Sequence, residues 1–164
     1  MTDLVEQTTV RAAADTARRF PRGLWRVAVV LIALVLTPVA VGIAANGAVL
    51  AGRWWDDVDR WLAPAQSVLG AMLLLLVASL AVYVPAAAMI AGVVWGVVPG
   101  VLHIVAPENS YRLLSAIPGL PADLVRALHS WLSGGVMLLI GVLLLGVGAT
   151  AAVLRHRGAP ASRS

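Results

Sequence analysis

The stretch AQSVLGAMLLLLVASLAVYVPAAAMIAGVVWGVVPGVLHIV, residues 65–105, decides the fold because none of its residues is formally charged at pH 7. A single helix over this stretch would extend about 60 Å, which is about twice the thickness of the hydrocarbon core of a bilayer. Pro85 divides it into two segments of spanning length, and proline is tolerated at the first position of a helix. We therefore predict two spans joined by a tight turn at Val84. One long kinked span, or a span followed by a re-entrant segment, is the alternative.

The composition indicates that the chain is embedded in a lipid bilayer. Its 164 residues are 60% apolar and 12% charged, and the mean hydropathy is +0.91. Soluble domains are about 45–50% apolar and about 25% charged. A soluble chain of this length could not bury so much apolar surface.

Two further apolar runs flank the central stretch and are long enough to cross a membrane. We predict an all-α integral membrane protein, a four-span transmembrane helical bundle with a short interfacial helix between spans three and four. That helix would begin at Glu108–Ser110 and turn Tyr111, Leu113, Leu114 and Ile117 towards lipid. The predicted divisions are a basic N-terminal tail (1–23), a single transmembrane domain (24–154) with spans at about 27–48, 64–83, 85–105 and 131–154, and a basic C-terminal tail (155–164).

The basic residues predict the orientation. All twelve are arginines, and the absence of lysine suggests, through codon usage, a GC-rich bacterium. With four spans, five arginines before the first span and three in the C-terminal tail place eight on one side, against four on the other. The positive-inside rule then puts both termini in the cytoplasm and the protein in the plasma membrane. Arginines that flank spans also explain the pI of about 11.0, so no nucleic-acid partner is expected.

Small residues recur at helical spacing in the third and fourth spans. Four of them, Ala88, Gly92, Gly96 and Gly100, follow a period of four. Such a stripe lets helix backbones approach closely in lipid, where no hydrophobic force drives helices together. The fourth span has a second stripe with a period of seven. Its residues are Gly134, Gly141 and Gly148. Spans two and four could pack together and leave the groove of span three to another chain. The alternative is that both stripes are used within one chain.

Few residues are candidates for chemistry. No Asp, Glu or Arg lies well within a predicted span, and the chain has no lysine and no cysteine. This argues against ion-coupled transport and excludes thiolate chemistry. His103 and His129 fall at similar depth near the outer ends of spans three and four, so together they could bind haem or a metal ion. The alternative is that each histidine is an interfacial residue bonded to water or backbone. This alternative is the one we expect, so no cofactor is predicted. His129 and Ser133 share a helix face, but no orienting acid or oxyanion site accompanies them.

An exposed loop between spans one and two concentrates aromatic and acidic residues. It is a candidate contact surface, and the alternative is a belt of interfacial tryptophans whose acids pair with arginines. Its members are Trp54, Trp55, Asp56, Asp57, Asp59 and Trp61.

These features together favour a non-catalytic membrane protein. We expect a partner, scaffold or assembly subunit that acts through helix packing, with the lipid bilayer and either a second copy or another membrane protein as partners. A transporter or channel for a neutral or apolar solute is the first alternative, and a haem- or metal-binding protein using the two histidines is the second. No enzymatic activity is expected.

Overall fold

The computed structural model describes residues 22–51 and 57–158, with side chains described for 23–51 and 61–157. This part of the chain is helical and contains no strand. Within these described residues, four helices are long and apolar enough to cross a membrane, which confirms the all-α membrane bundle. The helices are α1 (Arg22–Leu50), α2 (Asp57–Leu80), α3 (Pro85–Val105, with a π-helical segment at Val93–Val97), α4 (Pro107–Ser115), α5 (Ala122–Ser133) and α6 (Val136–Gly158).

The central apolar stretch forms two helices, so the long kinked span and the re-entrant segment are both wrong. α2 ends at Leu80 and α3 begins at Pro85. Arg155, near the end of α6, donates hydrogen bonds from Nη2 to the carbonyl oxygens of Val82 and of Tyr83, the latter at 2.6 Å. These bonds satisfy two backbone carbonyl groups of the turn between α2 and α3.

The fourth span differs from the sequence expectation. A helix running from 131 to 154 was expected, but the chain breaks between α5 and α6 at Gly134–Gly135. Gly135 has φ of +72°, which side chains with a Cβ rarely adopt. The apolar helix therefore begins at Val136. The connection between α3 and α6 also holds two short helices rather than one.

The core lies between α1, α2, α3 and α6. One buried cluster includes Val29, Ala33, Val77, Ala87 and Leu144. A second cluster lies towards the other end of the bundle, where Val41 meets Leu132 and Met137. Because most buried residues are alanine or valine, the helix backbones approach closely, as is usual for helices that pack in lipid.

Candidate functional site

A cavity of about 530 Å³ lies between the middle of α1, the second half of α3 and the start of α6. Helices α4 and α5 and the loop between them form the rest of its wall. Apart from Asn109 and Ser110, every residue on the wall is apolar. Ligand pockets typically measure about 300–1,000 Å³ and have mostly apolar walls with a few placed polar groups. The cavity has the size and the lining of a ligand site.

Two prolines, one in each long helix of the wall, help to shape the cavity. Pro38 of α1 and Pro99 of α3 both line it. A proline inside a helix removes one backbone donor and its ring crowds the carbonyl four residues earlier. In α3 the backbone responds by widening, and the Val98 N–H bonds to the Val93 carbonyl, five residues back. Such π-helical turns are frequent at functional sites.

Trp95 lies within this widened turn and repairs the break in α1. The carbonyl of Leu34 would normally accept a bond from residue 38, but Pro38 has no N–H to donate. The Trp95 indole instead donates from Nε1 to the Leu34 oxygen at 2.8 Å. Thr37, which is buried, donates to the Ala33 carbonyl at 2.6 Å. Trp95 therefore connects α3 to α1 at the cavity wall.

Replacing Trp95 by phenylalanine is expected to lower the free energy of unfolding by about 1–2 kcal/mol. The ring remains, but the Leu34 carbonyl loses its donor in a region that water does not reach. Thermal unfolding of the purified protein in a mild detergent measures the change. Trp131→Phe is the matched control, because Trp131 is a partly buried residue that packs against the core and no indole hydrogen bond is seen for it among the described residues. An equal loss in both variants would contradict the role of the Trp95–Leu34 bond.

The short helices turn apolar faces towards the cavity. Leu124, Leu128 and Leu132 repeat every four residues along α5 and all line it. In α4 and the loop that follows, Leu113, Leu114 and Ile117 also line it. Leu113 and Ile117 remain 64% and 47% exposed, so their predicted exposure to lipid stays a prediction. An apolar face on an interfacial helix does not by itself distinguish a cavity from lipid.

The two candidate histidines lie together beside the cavity. Their ring centroids are 5.5 Å apart and the planes meet at 80°. Tyr111, whose predicted face was towards lipid, packs its ring on His129 at 5.2 Å. His129 Nδ1 is buried and has no hydrogen-bond partner among the described residues.

This arrangement does not fit a haem or a closed metal site. The centroid distance between His103 and His129 is that of rings in direct edge-to-face contact, which leaves no space for a macrocycle between them. Protein metal sites generally use three or four protein ligands. The described residues contain no group of three or more His, Cys, Asp or Glu side chains that could hold a metal ion.

His103 instead makes a hydrogen bond with Ser110. Its Nδ1 lies 2.7 Å from the Ser110 Oγ, and the Ser110 hydroxyl lies 2.8 Å from the Pro107 carbonyl oxygen. The hydroxyl has one proton, so both contacts are satisfied only when Ser110 donates to Pro107 and accepts from His103. A nucleophilic serine would have to give its proton to the histidine. The pair is therefore arranged to join α3 to α4.

Ser133 does not form a catalytic pair with His129 either. Its hydroxyl donates to the backbone oxygen of His129 at 2.9 Å and contacts that of Ser130 at 3.2 Å. Serine commonly makes such bonds to its own helix, four residues back.

The glycine stripes of α3 and α6 face each other. A Cβ added at Gly96 would meet the backbone of Gly141, with its nitrogen at 2.5 Å. Gly92 lies against the Gly141 oxygen, and Gly148 lies against Met89 and the Pro85 oxygen. Gly100 packs on Leu138, and Ala88 is buried. The packing of span two on span four, with the groove of span three left to another chain, is therefore wrong.

Gly134 is not part of this contact. It lies at the end of α5, where an added Cβ would meet mainly the Ser130 oxygen, at 3.2 Å. Its spacing from Gly141 matches a stripe only if the helix is continuous, and the break before α6 removes that continuity.

The sequence interpretation missed a second close contact, between α1 and α2. A Cβ at Gly47 would lie 2.7 Å from the Ser67 nitrogen, and one at Gly70 would lie 2.5 Å from the Ala44 Cβ. Asn46 donates across this contact from Nδ2 to the Gln66 oxygen at 3.0 Å. The signal was present in Ala40, Ala44 and Gly47, small residues spaced by four and three.

The candidate contact loop is only partly described. Trp54, Trp55 and Asp56 lie outside the described residues. Asp57 and Asp59 fall in the first turn of α2, where only the backbone is described. Trp61 is 77% exposed.

Comparisons with known proteins do not assign this chain to a family. No family model matches it, and neither a curated protein nor a solved structure is significantly similar to it. Its function has to be inferred from the cavity and the packing.

Proposed function

We propose that this protein is a non-catalytic multi-pass membrane protein that binds a neutral apolar molecule in its cavity. As a transporter, it would carry that molecule across the membrane. The supporting observation is the cavity itself, with a volume of about 530 Å³ and an almost entirely apolar wall. A molecule with a hydrocarbon body would replace empty space by van der Waals contacts there.

The wall also supports a neutral ligand. No charged side chain of the described residues lines the cavity. A charged group bound there would lose its hydration without gaining a partner of opposite charge, which is costly. Ion-coupled transporters place ionisable residues within their spans. Among the described residues, the cavity wall has no ionisable side chain. The ligand would therefore move or bind without a coupled ion.

We place the protein in the plasma membrane of a GC-rich bacterium with both termini in the cytoplasm. The arginine distribution supports this orientation, with eight of twelve on the side of the tails. The cavity lies at the opposite end of the bundle from the Arg155 contact, so it would open near the outer leaflet. A molecule dissolved in that leaflet could enter it directly.

The proposed binding is tested by filling the cavity with a side chain. Gly42 lines the wall, and a Cβ added there would meet only the Leu124 Cδ1, at 3.9 Å. Gly42→Leu should therefore fold and occupy the space. In phosphatidylcholine nanodiscs, a long-chain hydrocarbon carrying a diazirine should label α4 and α5 of the wild type above the level of lipid-exposed α2. In Gly42→Leu that excess should disappear.

Gly146→Leu is the matched control, because an added Cβ at Gly146 meets nothing within 4 Å. It should label as the wild type does. Labelling of α4 and α5 that persists in folded Gly42→Leu, or that never exceeds the level of α2 in the wild type, would overturn the proposed binding.

A partner or scaffold role is the second candidate, and α2 now supports it better than the glycine groove. α2 packs mainly on α1, and only 17% of its apolar window is buried, the lowest share among the four spans. A second copy or another membrane protein could cover its outer face. The mass of the purified protein in a mild detergent tests this role, since a single chain that co-purifies with no other protein would contradict it.

A further inference from the structure

The cavity has one polar corner, formed by two adjacent residues of α4. Asn109 and Ser110 are the polar residues on the wall, and both are uncharged. The indole N–H of Trp95 also lies on the wall but is already bonded to the Leu34 oxygen. Among the described residues of the wall, a ligand that needs a hydrogen bond could obtain it from a side chain only at this corner.

The hydroxyl group of Ser110 already makes its hydrogen bonds within the protein. Ser110 is 8% exposed, it donates to the Pro107 oxygen and it accepts from His103. These bonds hold the first turn of α4 against the end of α3. Because Asn109 immediately precedes Ser110 in that turn, the same bonds fix the backbone that carries the Asn109 side chain.

Asn109 is exposed and, among the described residues, its amide has no hydrogen-bond partner. An amide group offers two donors and one acceptor. It can therefore bond a hydroxyl group, an ester or an amide, and it carries no charge to neutralise a carboxylate or an ammonium group. A polar group held here would be continuous with the apolar space lined by Leu124 and Leu128.

We propose that the ligand is a neutral amphiphile, with a hydrocarbon body in the cavity and a single uncharged oxygen-bearing head bonded to Asn109. This inference rests on the proposed function and adds the class of ligand. The Asn109 amide selects the head, while Ser110 and His103 position the turn that presents it.

The test uses three photoactivatable probes with the same diazirine-bearing chain, ending in a hydroxyl, in a carboxylate or in a methyl group. Each labels the full-length protein in phosphatidylcholine nanodiscs at neutral pH, and the labelling of α4 and α5 is titrated against probe concentration. The wild type should bind the alcohol about three- to tenfold more tightly than the hydrocarbon, as expected for one neutral hydrogen bond. It should bind the carboxylate more weakly than the alcohol.

Asn109→Leu should remove the preference for the alcohol and leave binding of the hydrocarbon unchanged. Asn109→Gln, which keeps the amide, should retain part of the preference and serves as the conservative control. Because the side chain is exposed, both variants should fold, and gel filtration checks this.

The proposed ligand class and the proposed cavity binding are contradicted by different results. Equal binding of alcohol and hydrocarbon, tighter binding of the carboxylate, or an unchanged preference in Asn109→Leu would overturn the neutral amphiphile while cavity binding stands. The absence of cavity labelling by all three probes would overturn the proposed function as well.

Discussion

Gly96→Leu is expected to lower the free energy of unfolding by about 3 kcal/mol or more. The first atom of the new side chain would already collide with the Gly141 backbone and lie 2.9 Å from the Met137 oxygen. Backbone atoms cannot rotate away as a side chain can, so α3 and α6 would have to separate. Separation would also open the contacts at Gly92 and Gly148, which lie along the same seam.

Thermal unfolding of the single chain in a mild detergent measures this loss, and Gly146→Leu is the control for placing leucine in a membrane helix. We expect the control to unfold at or slightly above the wild-type temperature, because leucine has a higher helix propensity than glycine. If Gly96→Leu instead kept wild-type stability and changed only the oligomeric mass, the groove would serve another chain and the packing of α3 on α6 would be wrong.

The glycine stripe shows which part of the fold could be predicted from sequence. A period of four in an apolar span predicts a face that another helix approaches, because that property belongs to one helix. The partner could not be predicted, since it depends on how all the spans assemble. The groove of α3 is filled by α6 through Gly141 and Gly148. This complementarity depends on the surfaces of both helices and cannot be read from either one alone.

The end of the bundle was harder to predict for the same reason. Similar depth for His103 and His129 followed from antiparallel spans, and the two rings do meet. The cavity beside them depends on two prolines in different helices, on the bond from Trp95 to Leu34, and on the folding back of α4 and α5. None of these is local in sequence. The adjacent Gly134 and Gly135 are compatible with a break before α6, but the helical spacing of leucines before them and the apolar run after them are equally compatible with one continuous helix.

A substitution in the close contact between α1 and α2 is also expected to destabilise the fold strongly. Gly70→Leu is expected to cost about 2–3 kcal/mol of unfolding free energy, because the added Cβ would lie 2.6 Å from the Ala44 nitrogen and 2.8 Å from the Ala40 oxygen. α2 is held to the bundle mainly through α1. Its displacement should therefore be larger than that of a helix packed on several others.

A cysteine pair reports the displacement directly, because the chain contains no cysteine of its own. Asn46→Cys and Gln66→Cys replace side chains that hydrogen-bond across the contact, so an oxidant should join them readily in the otherwise unchanged protein. Adding Gly70→Leu should reduce this cross-linking to background, whereas Ala71→Leu, at an exposed neighbouring position, should leave it intact. Undiminished cross-linking in Gly70→Leu would mean that α1 and α2 can separate locally at Gly70 while staying together at Gln66. In that case the close contact at Gly70 would not be what holds the two spans together, since the Asn46–Gln66 hydrogen bond is absent from the cysteine variants as well.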